Sequence, residues 1–358
     1  MAHDEQLPVV GITLGDINGV GPETVVQLLN QPAIYTRARI VVYGSTRVLS
    51  YFRKVANLDK LHYTGLTSWS DLHAKQANVV NCYSDEKPVI ELGEETDAAG
   101  KCALEAIDAA IEDAKAGRID VLITAPINKR TVARHVNGSF TGHTGYLAQQ
   151  LEADDHEMIM TAEAVRVGLV TEHVPLAEVA GQLTEDLVHR KIGLLYDALQ
   201  RDLGIHRPKV AVLGLNPHAG ESGTLGTEEQ DIIGPAVNRA YRADRYVYGP
   251  YAADGFFGTG AFRQFDGVLA MYHDQGLVPF KTLSFHRGVN VTTGLPIVRT
   301  SPDHGTGYDI AGKGTADASS LLQAFFTGLD IHRNRRQYDE DHADPVEHVE
   351  NVKRYKRR

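Results

Sequence analysis

The chain has 358 residues, 42% hydrophobic and 23% charged, the balance of a folded globular protein long enough for two lobes. A net charge of −10 leaves no basic stripe for duplex phosphates, which excludes non-specific nucleic-acid binding but not small anionic substrates. Cys82 and Cys102 lack metal-type or disulfide-framework spacing, and the start MAHDEQLPVV has no basic n-region or long apolar run; a reduced, cytoplasmic setting is expected.

In chain order, Val9 to Leu14 is a short apolar run that predicts a first strand, and Pro22 with Glu23 suits the first turn of a helix. Ala38 to Tyr43 predicts a second strand, followed by an amphipathic helix near Arg47 to Val55. Ala98 to Ala116 has apolar residues three and four apart with Gly117 as its stop, the clearest helix of the chain. Val121 to Thr124 reads as a strand, His156 to Glu172 as two, and Thr184 to Leu203 as a long amphipathic helix. Further strands are expected near 210–215, 246–249, 267–271 and 289–292. Alternating strand and helix argues for a layered α/β/α architecture. The charged tail after Leu329 reads as a solvated helix or a frayed end.

Three histidines stand in short polar motifs within apolar stretches: His173 in VTEHVPL, His218 in GLNPHAGE and His273 in LAMYHDQG. The last two come after runs that read as buried strands, and ligands gather at carboxyl ends of strands in parallel α/β folds. Three imidazoles arriving there could share one divalent metal with a position open to substrate. The alternative is three separate hydrogen-bonded histidines.

Gly15 to Glu23, GDINGVGPE, places glycines between a strand and a helix, where amides could approach an anion, but it is not the dinucleotide fingerprint. Gly307 to Lys313 has P-loop spacing, yet Gly314 stands where Ser or Thr would hold magnesium and no strand obviously precedes it; a nucleotide triphosphatase is rejected. In FTGHTGYLA, His143 and Thr144 come after a glycine at an expected helix start, which suits a phosphate or carboxylate; alternatively Thr144 caps the helix. Lys281, Asn290 and Arg299 beside apolar runs form a second anion-binding set, or else snorkel at strand edges. Ser301 to Gly314, SPDHGTGYDIAGKG, is a polar loop that could wrap an adenosine phosphate, or a plain turn ahead of a helix.

Together, GDINGVGPE, TAPINK, FTGHTGYLA, TEHVPL, GLNPHAGE, LGTEE, GPYAADGFF, MYHDQGLVPFK, GLPIVRTSPDHGT and DIAG resemble the 4-hydroxythreonine-4-phosphate dehydrogenase family, in the family's order from Gly11 to about Gln323. The resemblance implies a two-lobed α/β/α fold like isocitrate and isopropylmalate dehydrogenases, with the active site in the interdomain cleft. The first lobe would take 1–133 plus 295–358 with the nucleotide loop, and the second 134–294 with the metal ligands and dimer contacts. It implies a homodimer with shared active sites and no nucleic-acid or membrane partner. His173, His218 and His273 would hold one divalent metal (zinc, cobalt, manganese or magnesium), one of them coming from the partner subunit. His143, Thr144, Lys281, Asn290 and Arg299 would contact substrate, with Asp254 or Lys281 as catalytic base. Asp303, His304, Gly305, Thr306 and Asp309 would bind NAD, or NADP as the alternative.

The activity so implied is oxidation of 4-phosphooxy-L-threonine at its β-hydroxyl, then decarboxylation to 3-amino-2-oxopropyl phosphate, in pyridoxal phosphate biosynthesis. Two positions depart from the family pattern: Gly145 stands where an acidic residue usually comes after the His-Thr pair, and Gly307 where alanine is usual. The first opens a rival, a dehydrogenase of phosphorylated sugar acids such as threonate or erythronate. A lower alternative is an acyl-phosphate transferase of related fold.

Overall fold

The computed structural model describes residues 7–85, 87–136, 138, 140, 142–284 and 287–344. The opening residues read for a leader and the last part of the charged tail lie outside this range.

Among the described residues one mixed sheet has 12 strands. They are β1 (Val9–Thr13), β2 (Arg39–Gly44), β3 (Tyr63–Gly65), β4 (Ala77–Asn81), β5 (Val121–Thr124), β6 (Glu157–Thr161), β7 (Arg166–Leu169), β8 (Lys209–Leu213), β9 (Tyr246–Tyr251), β10 (Gly267–Ala270), β11 (Val289–Thr293) and β12 (Val298–Pro302). Their spatial order is β3-β4-β2-β1-β5-β12-β11-β6-β7-β10-β8-β9. Two blocks are parallel within themselves, β3 to β12 and β7 to β9 in that order. The antiparallel pairings β12–β11, β11–β6 and β6–β7 join the blocks and set them running in opposite directions. The mixed α/β architecture expected from the alternation is therefore present.

Strand alternation divides the core between the two faces of the sheet. On one face Val10, Ile12 and Ile40 pack with Phe325 and Leu321 of the helix Ser319–His342; on the other, Val41, Tyr43 and Leu122 pack with the helix Asp97–Lys115. Fully buried rings such as Phe52 and Phe325 contribute about 1.5–3 kcal/mol each. The Asp97–Lys115 helix starts where its spacing predicts. The Thr96 hydroxyl accepts from the Ala99 amide at 3.2 Å, Asp97 and Lys115 sit at the favourable dipole ends, and Gly117 lies just beyond with φ +65.

Four elements differ from the sequence reading. The strands β3 and β4 were hidden in short polar stretches. Val298–Pro302, read as an anion-binding segment, is the strand β12, so a strand does precede the P-loop look-alike. The chain just beyond Gly307 is turn rather than helix, and the triphosphatase stays rejected. The charged tail is a helix through His342, packed rather than merely solvated. Arg335, 8% exposed, donates to both oxygens of the buried Asp202 at 2.7 and 3.0 Å and to the Leu295 carbonyl at 3.0 Å. Asp202 also accepts from the Thr293 hydroxyl at 2.9 Å, so this ion pair ties the long helix to the turn between β11 and β12. No helix among the described residues is long and apolar enough to cross a membrane.

Candidate active site

Three central strands supply a floor. Residues facing one way along β6, β11 and β12 are Met158 and Met160, Asn290 and Thr292, Arg299 and Ser301. The register places Asn290 opposite Ser301 and Met160, and Thr292 opposite Arg299 and Met158. Because the two parallel blocks run in opposite directions, their carboxyl-end loops arrive at different rims of this floor. One rim carries Thr124, Lys129 and Asp303 to Gly305; the other carries Glu172, His173 and His273. The pocket they enclose measures about 560 Å³.

Arg299 is the centre of the floor. It is 2% exposed, and burial alone pulls its guanidinium down to a pKa of about 9. Among the described residues its partners are hydroxyls alone, Thr292 at 2.8 Å and Thr124 at 2.7 Å, while Nε has none. A buried cation without a carboxylate is costly, and it makes a strong place for an incoming anion. Around it stand further unsatisfied groups: Nε2 of His143 and Oδ1 of Asn290, both buried without a partner.

Gly142, φ +129, turns the chain so that His143 opens the helix His143–Gln150 at the pocket wall. Thr144 does not cap that helix. Its hydroxyl lies 3.4 Å from that of Thr292, facing the Arg299 corner. Burial, then the positive Arg299 and Lys129, hold the His143 imidazole well below its usual pKa, so it is neutral near pH 7. At the near wall the Lys281 ammonium lies 3.2 Å from Asp303, whose carboxyl is pushed up by burial although Lys281 pulls it back.

At the opposite rim the His173 and His273 rings are 5.9 Å apart between centroids. Partial burial and then Lys129 lower the His173 pKa, favouring the neutral ring a metal needs. Asp274 accepts from Nδ1 of His273 at 2.7 Å, which fixes the tautomer and leaves Nε2 free as a donor to a metal. His218 does not join them. It is exposed on the turn Pro217–Gly223 with φ +52, and it is not among the residues lining the pocket. Among the described residues no group of three or more His, Cys, Asp or Glu is placed to hold a metal. Asp254 also stands apart, exposed on the helix Ala253–Gly258.

Of the expected nucleotide loop, Asp303, His304 and Gly305 line the pocket, while Thr306 and Asp309 do not. The Thr306 carbonyl instead accepts the Val20 amide at 2.8 Å. Sequence reasoning missed Lys129 and Glu172, both of which line the pocket. Lys129 lay in the TAPINK motif, one residue after the Asn128 that caps the helix Lys129–Ala133. A lysine at the first turn of a helix opposes the dipole, and that was the available signal.

A relative from Bacteroides thetaiotaomicron, named 4-hydroxythreonine-4-phosphate dehydrogenase, is 45% identical over 338 residues, 94% of this chain and 92% of that protein. One from Oceanobacillus iheyensis, provisionally named D-threonate 4-phosphate dehydrogenase, is 37% identical over 327 residues, 90% of this chain and 98% of that one. The crystal structure of a 4-hydroxythreonine-4-phosphate dehydrogenase from Klebsiella pneumoniae superposes with a TM-score of 0.79 at 33% identity, covering 92% of this chain and 99% of that one. Residues 36–327 match a family model described as the pyridoxal phosphate biosynthetic protein PdxA, and to that family this chain belongs.

Proposed function

We propose that this chain is the NAD-dependent dehydrogenase of 4-phosphooxy-L-threonine. It would oxidise the β-hydroxyl and lose carbon dioxide to give 3-amino-2-oxopropyl phosphate, in the cytoplasm, on the way to pyridoxal phosphate. The observation that carries this reading is Arg299, a buried guanidinium whose partners among the described residues are hydroxyls alone, at the floor of a pocket rimmed by two imidazoles. It accounts for an anionic substrate and for a hydroxyl to be activated at a fixed distance from the anion.

The donor set at the rim fits a divalent cation in part. His173 and His273 are close, burial favours the neutral ring of His173, and Asp274 orients His273. The third imidazole, His218, lies on an exposed turn, and in this reading it completes the site of a second copy in a homodimer. When bound, the cation supplies Lewis acidity at the hydroxyl, and an oxidised nicotinamide supplies the hydride acceptor. Arg299, Thr144 and Asn290 hold the phosphate or carboxylate. In this reading Lys281 passes an ammonium proton to the Asp303 carboxylate 3.2 Å away and takes the hydroxyl proton in its place, so the two act together as the base. Asp303, His304 and Gly305 face the dinucleotide from the end of β12. The two-lobed division near 134 and 295 belongs to the same reading.

A second reading rests on Gly145, which lines the pocket and offers no carboxylate for a substrate amine. It favours a phosphorylated sugar acid such as threonate. NADH absorbance on a panel of phosphorylated hydroxy acids, with and without the amine, decides. Turnover of the amino substrate alone supports the first reading, and turnover of the sugar acids alone supports the second. No NADH from any of them, with divalent metal present, overturns both.

A further inference from the structure

The GDINGVGPE segment, which reads as an anion-binding loop, makes its contacts inward. Glu23 is fully buried at 0% exposure. Its carboxylate accepts the Gly312 amide at 3.1 Å and the Ala316 amide at 3.0 Å, nearly three hundred residues away in the chain. Asp16, also fully buried, accepts the Tyr308 hydroxyl at 2.7 Å and the Asn18 amide at 2.9 Å. The Val20 amide donates to the Thr306 carbonyl at 2.8 Å. A side chain at Gly19 would stand 2.6 Å from that same carbonyl, so the two backbones touch. Val20, Ala311 and Ala316 close a small apolar cluster of their own, with Leu92 against it.

These contacts converge on one stretch, 306–316, which continues directly from the pocket residues Asp303 to Gly305. Gly312 and Gly314 have φ of +74 and +69, so the turn presents its amides inward as an anion nest does. The nest is occupied by Glu23, a carboxylate tethered to the same chain. With Glu23 there, the P-loop-like spacing offers a nucleotide phosphate no open nest. A dinucleotide must meet the outer face of the loop, and the shape of that face depends on what is clamped beneath it.

We propose that Glu23 and Asp16 are positioning residues for dinucleotide binding, holding the 303–316 loop from below in the shape that receives the cofactor. The inference rests on the NAD-dependent reading above. Each carboxylate makes two charge-assisted hydrogen bonds away from water, the setting in which such bonds are strongest. Neither residue lines the pocket, so neither touches the phosphorylated substrate.

The test uses the full chain. NADH affinity is measured by fluorescence titration in the wild type, Glu23→Gln and Tyr308→Phe, with steady-state constants and melting temperatures alongside. The glutamine keeps one acceptor and loses the charge; the phenylalanine removes the hydroxyl that bonds Asp16 and Asn128. Expected are a Kd for NADH raised about tenfold in Glu23→Gln and about threefold in Tyr308→Phe. KM for NAD should rise in parallel, while kcat at saturating NAD and KM for the phosphorylated substrate stay within about twofold of wild type. A merely structural role would lower the melting temperature and weaken both ligands together, and that outcome overturns the proposal. So does unchanged NADH affinity in both variants. Should Glu23→Gln not fold, Tyr308→Phe alone decides by the same readouts. Failure of the wild type itself to bind NADH sinks the functional reading instead, a result distinguishable from the others.

Discussion

Two arginines, Arg299 and Arg335, are about equally buried, at 2% and 8% exposure, yet they live in opposite surroundings. Arg335 is saturated, with both oxygens of Asp202 and the Leu295 carbonyl, and it works as a strut between the long C-terminal helix and the β11–β12 turn. Arg299, on the same hairpin, has among the described residues hydroxyl partners alone and a bare Nε, and it faces a cavity. A buried charge that the fold neutralises is architecture; one left open toward a cavity is a binding site.

The comparison breaks most sharply at the strut. Arg335→Met strands Asp202 as an uncompensated buried charge and should cost about 3–5 kcal/mol of stability in thermal or denaturant melts, with KM values unchanged. Arg299→Met should do the reverse. Substrate affinity should fall by about 2–5 kcal/mol, roughly thirtyfold or more, because the anion loses its buried partner. The melting temperature should hold or rise, since an unneutralised buried cation is removed. A melting loss as deep as that of Arg335→Met would end the distinction.

Glu157 sharpens the rule from the acidic side. It is 0% exposed on the face of β6 away from the pocket, and among the described residues neither oxygen finds a partner of good geometry. Burial first of all raises its pKa from 4.5 to about 8, with Lys191 opposing. A raised folded-state pKa means that the fold prefers the protonated acid. That stability is complete below about pH 4.5 and is lost as pH rises through about 8. Glu157→Gln, neutral at every pH, should therefore match the wild type near pH 4.5 and gain about 2–4 kcal/mol over it at pH 9. Equal pH dependence of the two melting curves would show Glu157 to be charged and satisfied. The smallest effect is expected from Thr292→Val, which takes one hydroxyl from Arg299. It should weaken substrate binding by about 1 kcal/mol, close to fivefold.

These contrasts also show what sequence could reveal. The apolar runs of β1, β2 and β5 declare themselves because burial on both faces demands continuous Val, Ile and Leu. β12 does not, because its inward alternation is Arg299 and Ser301 and it ends in Pro302, residues that read as loop. Asn290 and Arg299 stood out because polar groups are rare in such runs, and both line the pocket. His173 and His273 were legible for the same reason, and a single chain brings those two together without His218. Glu23 was read as a dipole partner at a helix start, and its real role was invisible. The amides it binds belong to Gly312 and Ala316, and no local pattern encodes a contact over that separation.

The strut at Arg335 sets a practical limit on trimming the chain. A shortened version that stops after His342 keeps the guanidinium and every bond it makes. One that stops at Asn334 removes the cation while leaving the Asp202 carboxylate sealed inside, and the hairpin bearing Arg299 loses its anchor at Leu295. Tags and fusions therefore belong beyond that last turn, where the helix has finished its work for the hairpin.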